Sequence, residues 1–492
     1  MRRRSFVAVA CLVTAAAFTS LTVACRPSGV AVTPDSSPFH WLPFGSDGLV
    51  QVGHLTVPID YTNPSKGTFD LYVARHLAKK GKRIGSLLVN PGGPGFGGTD
   101  FAINASQVYS TTLLDQFDIV GWDPRGTGLS TPAIDCISDY DRFYGTGDIT
   151  PDTPAEHQQL VDLAKEFADD CTKQNATTEM YVGTNNSARD MNAIREALGE
   201  AKISYFGFSY GSELGATWAT LFPSTVRAAV LDGAVDPTAD LLQTDLQQSA
   251  GFEHSVDAFL AQCSGDPKCA FHNGGHADTA FDALMLQLDD HPIPSVSGRP
   301  DISRGIALDA VGQAMYSSTD WKQLATALAD AQQGKGAGLL ALYDAYFQRQ
   351  PDGTWDNSLE AFQVISCADD AARPTVAEDD ATAAQFRKVA PRFSPGTTGG
   401  YLCTFFPPAI DPRVVITGKG AGPILVMGTT GDPATPIAGT RTMASTLEDG
   451  HLVVVNAEQH TGYGANQCTY DVVDQYLVDP VGHVPAAGTT CG

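Results

Sequence analysis

Between Gln51 and Asp123 the chain alternates short apolar runs with turn residues. H-L-T-V-P at 54–58, F-D-L-Y-V-A-R at 69–75, S-L-L-V-N at 86–90 and F-D-I-V-G-W-D at 117–123 have the length and the β-branched and aromatic content of strands. The period then changes. Residues 155–171 read as a helix, and residues 187–198 set Met191, Ile194 and Leu198 at the three- and four-residue spacing of a helix face packed on a sheet. Strand-like runs at 203–208 and 226–232 bracket a Gly- and Ala-rich helical stretch at 212–220. Runs at 423–428 and 451–456 bracket another at 437–447, and a last helical stretch covers 470–478. Strand–helix–strand alternation predicts an α/β fold with a mostly parallel central sheet and helices on both faces.

From Pro237 to about Pro412 the strand runs stop, and the sequence becomes helical and rich in Ala, Asp and Gln, with 321–331 and 339–347 the clearest helices. Strand patterns return after Pro412, so the expectation is a helical lid at 237–412 inserted into a core formed by 46–236 and 413–492; a separate C-terminal domain is the alternative. Upstream, Arg2, Arg3 and Arg4 precede an apolar run from Phe6 to Phe18 and small residues up to Ala24, the order of an export signal. Cys25 ends L-T-V-A-C, which resembles a bacterial lipoprotein signal whose Cys is acylated; release after ordinary cleavage is the alternative. The Pro- and Ser-rich segment that follows predicts a tether over 25–45. The expected destination is therefore outside the cell, as a secreted protein or a cell-surface lipoprotein held to the membrane through Cys25.

Charge narrows the partners. The 492 residues carry 31 Lys and Arg against 55 Asp and Glu, a net of −24, which argues against nucleic acid and anionic membrane surfaces. The bland reading of so acidic a chain is a solvated exterior. Ten Cys are present; setting aside Cys11 in the signal and Cys25 leaves an even number for an oxidising compartment, where disulfides are expected. Sequence proximity pairs Cys136 with Cys171, Cys263 with Cys269, Cys367 with Cys403 and Cys468 with Cys491. No C-x-x-C spacing and no His cluster accompanies them, so no metal is expected.

The strongest chemical signal is G-F-S-Y-G at 207–211, directly after a strand run and directly before a helix. A Ser on such a turn needs a strained backbone, and flanking glycines let strand and helix approach each other. Ser209 is thus the candidate nucleophile. It needs a base, which in this architecture follows the acid in chain order. His460, after the strand run at 451–456, fits, with His451 and His483 as replacements. Asp432, four residues past Gly428 in G-T-T-G-D-P-A-T-P, is placed to hold the imidazole tautomer; an Asp-Pro turn is its plain alternative, and Asp232 and Asp236 compete for the role. The loop N-P-G-G-P-G at 90–95 is placed to supply one oxyanion donor, the Gly93 N–H, with the Tyr210 N–H as the other and Gly92 as nearest substitute.

With G-W-D-P-R-G-T-G-L-S at 121–130, these motifs resemble the tripeptidyl aminopeptidase family, exported bacterial α/β-hydrolases similar to proline iminopeptidases, over roughly Gly48 to Cys491. The resemblance implies an α/β-hydrolase fold, the triad Ser209, Asp432 and His460, peptide substrates cleaved near a free N-terminus, and no cofactor. Asp123 and Arg125 fall in a family motif and read as an ion-paired structural turn. Gln459 stands where the family often has Gly before the His. Amine selectivity requires acids in the lid, for which Asp369 and Asp370, beside Cys367, are candidates. A carboxylesterase or lipase acting on acyl esters is the alternative function, and a noncatalytic surface-binding lipoprotein is a third.

Overall fold

The computed structural model describes residues 37–46, 48–395 and 401–492; the expected signal, Cys25 and the first part of the expected tether lie outside them. Ten strands form one sheet: β1 (Leu42–Phe44), β2 (Val50–Pro58), β3 (Thr68–His76), β4 (Gly85–Asn90), β5 (Phe117–Trp122), β6 (Ile203–Phe208), β7 (Val226–Asp232), β8 (Ile424–Thr429), β9 (Gly450–Val455) and β10 (Thr489–Cys491). Their spatial order is β1-β2-β3-β5-β4-β6-β7-β8-β9-β10. β1, β2, β3 and β5 pair antiparallel, and every pair from β5 through β4 to β10 is parallel.

The continuous apolar character of the central strands follows from burial on both faces. Every residue of β4, β5, β6 and β8 is buried. Alternation sorts their side chains: Leu88, Trp122, Tyr205 and Leu231 join one core, while Leu87, Val89, Phe206 and Val230 join the other. Helices cover both: α1 (Pro154–Asn175), α2 (Thr184–Ala197) and α3 (Tyr210–Leu221) come before β7, while α10 (Ile437–Thr446) and α11 (Gln467–Val478) follow β8 and β9. The start of α1 is set by Pro154 in the first turn and a reciprocal Thr153–Glu156 capping box.

Between β7 and β8 the described residues form no strand. They form α4 (Leu241–Gly265), α5 (Ala277–Asp290), α6 (Arg304–Met315), α7 (Trp321–Ala331), α8 (Ala337–Tyr346) and α9 (Ser358–Asp369), with shorter turns. α9 is tied to the sheet side. Glu360 accepts the Cys136 and Ile137 N–H groups and the Tyr140 hydroxyl, and Asn357 Nδ2 donates to the carbonyls of Gly126 and Ile134. All four disulfides form as sequence proximity pairs them.

Two expectations need correction. The end of the 25–45 segment is not a free tether, because Phe39 and Trp41 are buried and β1 adds to the sheet edge. Asp123 and Arg125 do not pair with each other. Arg125, fully buried, grips Asp190 through Nε at 2.7 Å and Nη2 at 2.6 Å and donates to the Ile59 and Tyr181 carbonyls. Asp123 instead accepts the Thr99 and Leu129 N–H groups at 3.1 and 2.9 Å. The turn is structural, but its two charges serve different neighbours.

Candidate active site

Ser209 joins β6 to α3 with φ 55° and ψ −126°, a backbone conformation that side chains other than Gly rarely adopt and that tends to mark functional turns. Neighbouring glycines make the turn possible. A Cβ on Gly207 would lie 2.3 Å from the Gly211 carbonyl oxygen, and one on Gly92 would lie 2.8 Å from Ser209 Cβ. The Ser209 N–H donates to the Asp232 carbonyl at the end of β7. The turn thereby sits over the C-terminal ends of the parallel strands, where this class of sheet binds its ligands.

Asp432 and His460 arrive on the loops after β8 and β9. His460 Nδ1 donates to Asp432 Oδ1 at 2.8 Å. That carboxylate is fixed from four other directions: the Ala434 and Thr435 N–H groups at 3.0 and 2.8 Å, the Thr435 hydroxyl at 3.1 Å and the Thr461 N–H at 3.3 Å. The imidazole packs edge-on against Tyr316, and the His460 backbone N–H donates to the Tyr316 carbonyl, so the helical segment helps to seat the residue. Burial alone would depress the imidazole pKa, yet the Asp432 charge and hydrogen bond, with Asp232 behind them, raise it. Nε2 is buried without a hydrogen-bond partner among the described residues. The position of a Cβ on Gly233, next to the residue that holds the Ser209 N–H, falls 3.1 Å from His460 Cε1. The Ser209 turn and the imidazole thus both adjoin the end of β7, at Asp232 and Gly233, and no hydrogen bond joins Ser209 Oγ to His460 Nε2 among the described residues.

The competitors are otherwise engaged. Asp232 accepts the Gly462 and Tyr463 N–H groups at 2.7 and 2.8 Å and so positions the histidine loop from below. Burial pushes its carboxyl up to about 7. Asp236 accepts from Thr238 and Gln247. His451 pairs with Asp449 and His483 with Asp479, both partly exposed. Gln459 has no positive φ; that conformation falls on Thr461, at 67°. Its carbonyl accepts the Thr429 hydroxyl, so the loop needs no Gly at this position.

On the opposite side of Ser209, Gly93 has φ 106°. The Gly92 N–H is consumed by Asn90 Oδ1 at 3.0 Å, which leaves Gly93 rather than Gly92 as the free loop donor beside the first N–H of α3. Gly93, Ser209 and Tyr210 line one cavity of about 110 Å3 with Glu213, Asp369 and Arg413. Glu213 and Arg413 form an ion pair. Asp369 is buried and accepts the Thr184 N–H at 2.7 Å, and burial, with the charge of Glu213, pushes its carboxyl up to about 7. Asp370 accepts the Leu241 and Ala372 N–H groups. Both acids expected for amine recognition do line the cavity, but their oxygens are already bonded to the chain.

A parallel sheet with a strained Ser between β6 and its following helix, and an Asp–His pair on the loops after β8 and β9, defines an α/β-hydrolase. The sequence profile of the alpha/beta hydrolase fold family matches residues 85–464, and the chain belongs to that family. Within it, the chain is 34% identical to the serine protease Hip1 of Mycobacterium tuberculosis H37Rv, covering 92% of this chain and 91% of that one. It is 35% identical to carboxylesterase B of the same organism, covering 89% and 85%. It is 30% identical to the tripeptidyl aminopeptidase of Streptomyces lividans, covering 90% and 83%.

Proposed function

We propose that this protein is an exported serine peptidase that releases short peptides from free N-termini. The observation that carries the reading is the Asp432–His460 hydrogen bond, with the imidazole's other nitrogen buried and unpartnered beside the strained Ser209 turn. Ser209 Oγ attacks the scissile carbonyl carbon as its proton passes to His460 Nε2. The oxyanion is held by the N–H groups of Gly93 and Tyr210. His460 then gives the proton to the leaving amine as the C–N bond breaks, and Asp432 stabilises the imidazolium throughout. A water that loses its proton to His460 attacks the acyl-enzyme; the acyl group leaves as a carboxylic acid and Ser209 regains its proton. Residues 237–412 act as the lid that selects the substrate, residues 1–24 as the export signal and Cys25 as the point of lipid attachment.

The peptidase names of two relatives support this choice. A relative named carboxylesterase B favours a second reading, ester hydrolysis by the same triad, because the sheet does not encode the leaving group. Turnover of a tripeptidyl p-nitroanilide, its N-acetylated form and a short p-nitrophenyl ester separates the two. The aminopeptidase reading expects cleavage of the free peptide and loss of cleavage on acetylation; turnover of the ester alone rejects it.

A further inference from the structure

The first turn of α3 carries the Tyr210 N–H assigned above to the oxyanion, yet it lacks the usual fixture of a helix start. A Ser just before the first helical residue ordinarily turns its hydroxyl back onto a backbone N–H and caps the helix. Ser209 makes no such side-chain bond, which keeps its Oγ for the reaction. The turn is therefore held in place from elsewhere, and two of its side chains show how.

Tyr210 is buried, and its hydroxyl is hydrogen-bonded to the Thr184 hydroxyl on the first turn of α2. The Thr184 hydroxyl donates to Asp369 Oδ2 at 2.5 Å, and the Thr184 N–H donates to Asp369 Oδ1 at 2.7 Å. An ionised carboxylate only accepts, so the Thr184 proton points to Asp369 and Tyr210 donates to Thr184. Asp369 is the last residue of α9, and both it and Thr184 are buried. A Cβ on Gly183 would lie 2.8 Å from Asp369 Oδ1, so the missing side chain there lets the carboxylate reach α2. A second arm leaves the same residue. The Asp369 carbonyl accepts the Arg413 N–H at 3.0 Å, and the Arg413 guanidinium pairs with Glu213, also on the first turn of α3. Both arms run from the end of α9 to the helical turn that follows the nucleophile.

We propose that Thr184 and Asp369 are positioning residues of the oxyanion hole: the chain of hydrogen bonds from Asp369 through Thr184 to the Tyr210 hydroxyl fixes the first turn of α3 about its axis and so aims the Tyr210 N–H at the developing oxyanion. This rests on the assignment of that N–H as an oxyanion donor and is independent of whether the leaving group is an amine or an alcohol. A donor that engages the oxyanion and not the ground-state carbonyl acts on kcat rather than on KM. The plain alternative is that these bonds only satisfy buried polar groups and cap α2, a role whose loss lowers stability without changing turnover per intact site.

Steady-state kinetics of the full-length protein on p-nitrophenyl acetate separate the two, with kcat expressed per Ser209 titrated to completion by a fluorophosphonate. Thr184→Val removes the hydroxyl and keeps the side-chain shape, Thr184→Ser keeps the hydroxyl, and Tyr210→Phe removes the other end of the same bond while leaving the ring and the N–H. The expected kcat is about 10- to 100-fold lower in Thr184→Val and in Tyr210→Phe, the range set by misplacing a group by up to about 1 Å. KM stays within about threefold in both, and Thr184→Ser restores kcat to within about threefold of wild type. The double variant Thr184→Val/Tyr210→Phe is no slower than the slower single one, because both changes break one linkage. An unchanged kcat in Tyr210→Phe, a loss in Thr184→Val that Thr184→Ser shares, a loss confined to KM, or additive losses in the double variant each overturn the proposal. A Thr184→Val chain with no titratable Ser209 leaves the decision to Tyr210→Phe, which changes no other side chain in the network. A wild-type protein that neither takes the fluorophosphonate nor turns over the ester overturns the hydrolase reading together with this one.

Discussion

Replacing Asp432 with Asn tests the site more sharply here than it would in a looser carboxylate–imidazole pair. Oδ1 accepts three donors, the His460 Nδ1–H, the Ala434 N–H and the Thr435 N–H, whereas Oδ2 accepts the Thr435 hydroxyl, which can rotate, and the Thr461 N–H at 3.3 Å. An amide NH2 in the Oδ1 position would face three donors; in the Oδ2 position it faces one fixed, long contact. The Asn side chain therefore keeps its oxygen towards His460, and the imidazole keeps its tautomer. What disappears is the charge. Opposite unit charges about 4 Å apart near a protein surface attract by about 4 kcal/mol, which converts to roughly a 10^3-fold loss of kcat. A variant that also forced the wrong tautomer would lose about 10^4-fold. The same loss of charge unmasks burial, which depresses the imidazole pKa, so the acid limb of kcat/KM, which the Asp432 charge raises in the wild type, moves to lower pH in the variant. The assay is a pH profile with p-nitrophenyl acetate, which carries no amine. An acid limb that stays in place or moves up would refute the electrostatic role assigned to Asp432.

Gly92→Ala should lower kcat by at least about 10^2-fold through displacement of the oxyanion loop, because its Cβ would lie 2.6 Å from the Phe208 carbonyl oxygen at a φ of +106°; full ester turnover in that variant would contradict the placement. Arg125→Lys keeps a charge but loses the fork on Asp190 and the donors to Ile59 and Tyr181, so urea denaturation should report about 3–5 kcal/mol less stability. Thermal stability should fall as pH rises from 5 to 8. The carboxyls of Asp232, Asp309, Glu360 and Asp369 are each raised to about 7 by burial. Such groups bind protons more tightly in the folded state, so their contribution is fully present below about 4 and lost as pH climbs through 7. A Tm that increases over that interval, measured by scanning fluorimetry, would contradict the assignment.

Features confined to neighbouring stretches of chain were legible before any coordinates. The Ser209 turn needs only a strand, two glycines and a helix in succession, and the parallel sheet follows from the alternation of periods. The pairing of Asp432 with His460 was reachable because chain order in such a sheet maps onto adjacent loops. β1 and β10 were not, since three residues carry no periodicity and take their conformation from the neighbouring strand. Nor was the partner of Arg125: Asp190 lies 65 residues away, and the adjacent Asp123 offered a nearer and misleading charge. Gln459 raised a concern about a missing glycine that dissolves once the positive φ is located at Thr461.

The acids of the helical segment show most clearly why composition was silent about specificity. A net charge of −24 reads as solubility, and any one Asp in an Ala-, Asp- and Gln-rich helix looks like its neighbours. What separates them is whether folding supplies each carboxylate with donors. Asp369 and Asp370, singled out by their place beside Cys367, are satisfied by Thr184, Leu241 and Ala372, and the contacts from Thr184 and Leu241 exist only once α9 docks on α2 and α4. Asp245, on the first turns of α4 and pushed up to about 7 by burial and the charges of Asp379, Asp370 and Asp240, receives none among the described residues. A carboxylate is available to a substrate in proportion to what the fold withholds from it, and that difference is set by tertiary contacts more than 100 residues apart in sequence. If the helical segment at 237–412 selects the substrate as proposed, variants of it that leave Ser209, Asp432 and His460 in place should change which substrates are cleaved without abolishing turnover of p-nitrophenyl acetate.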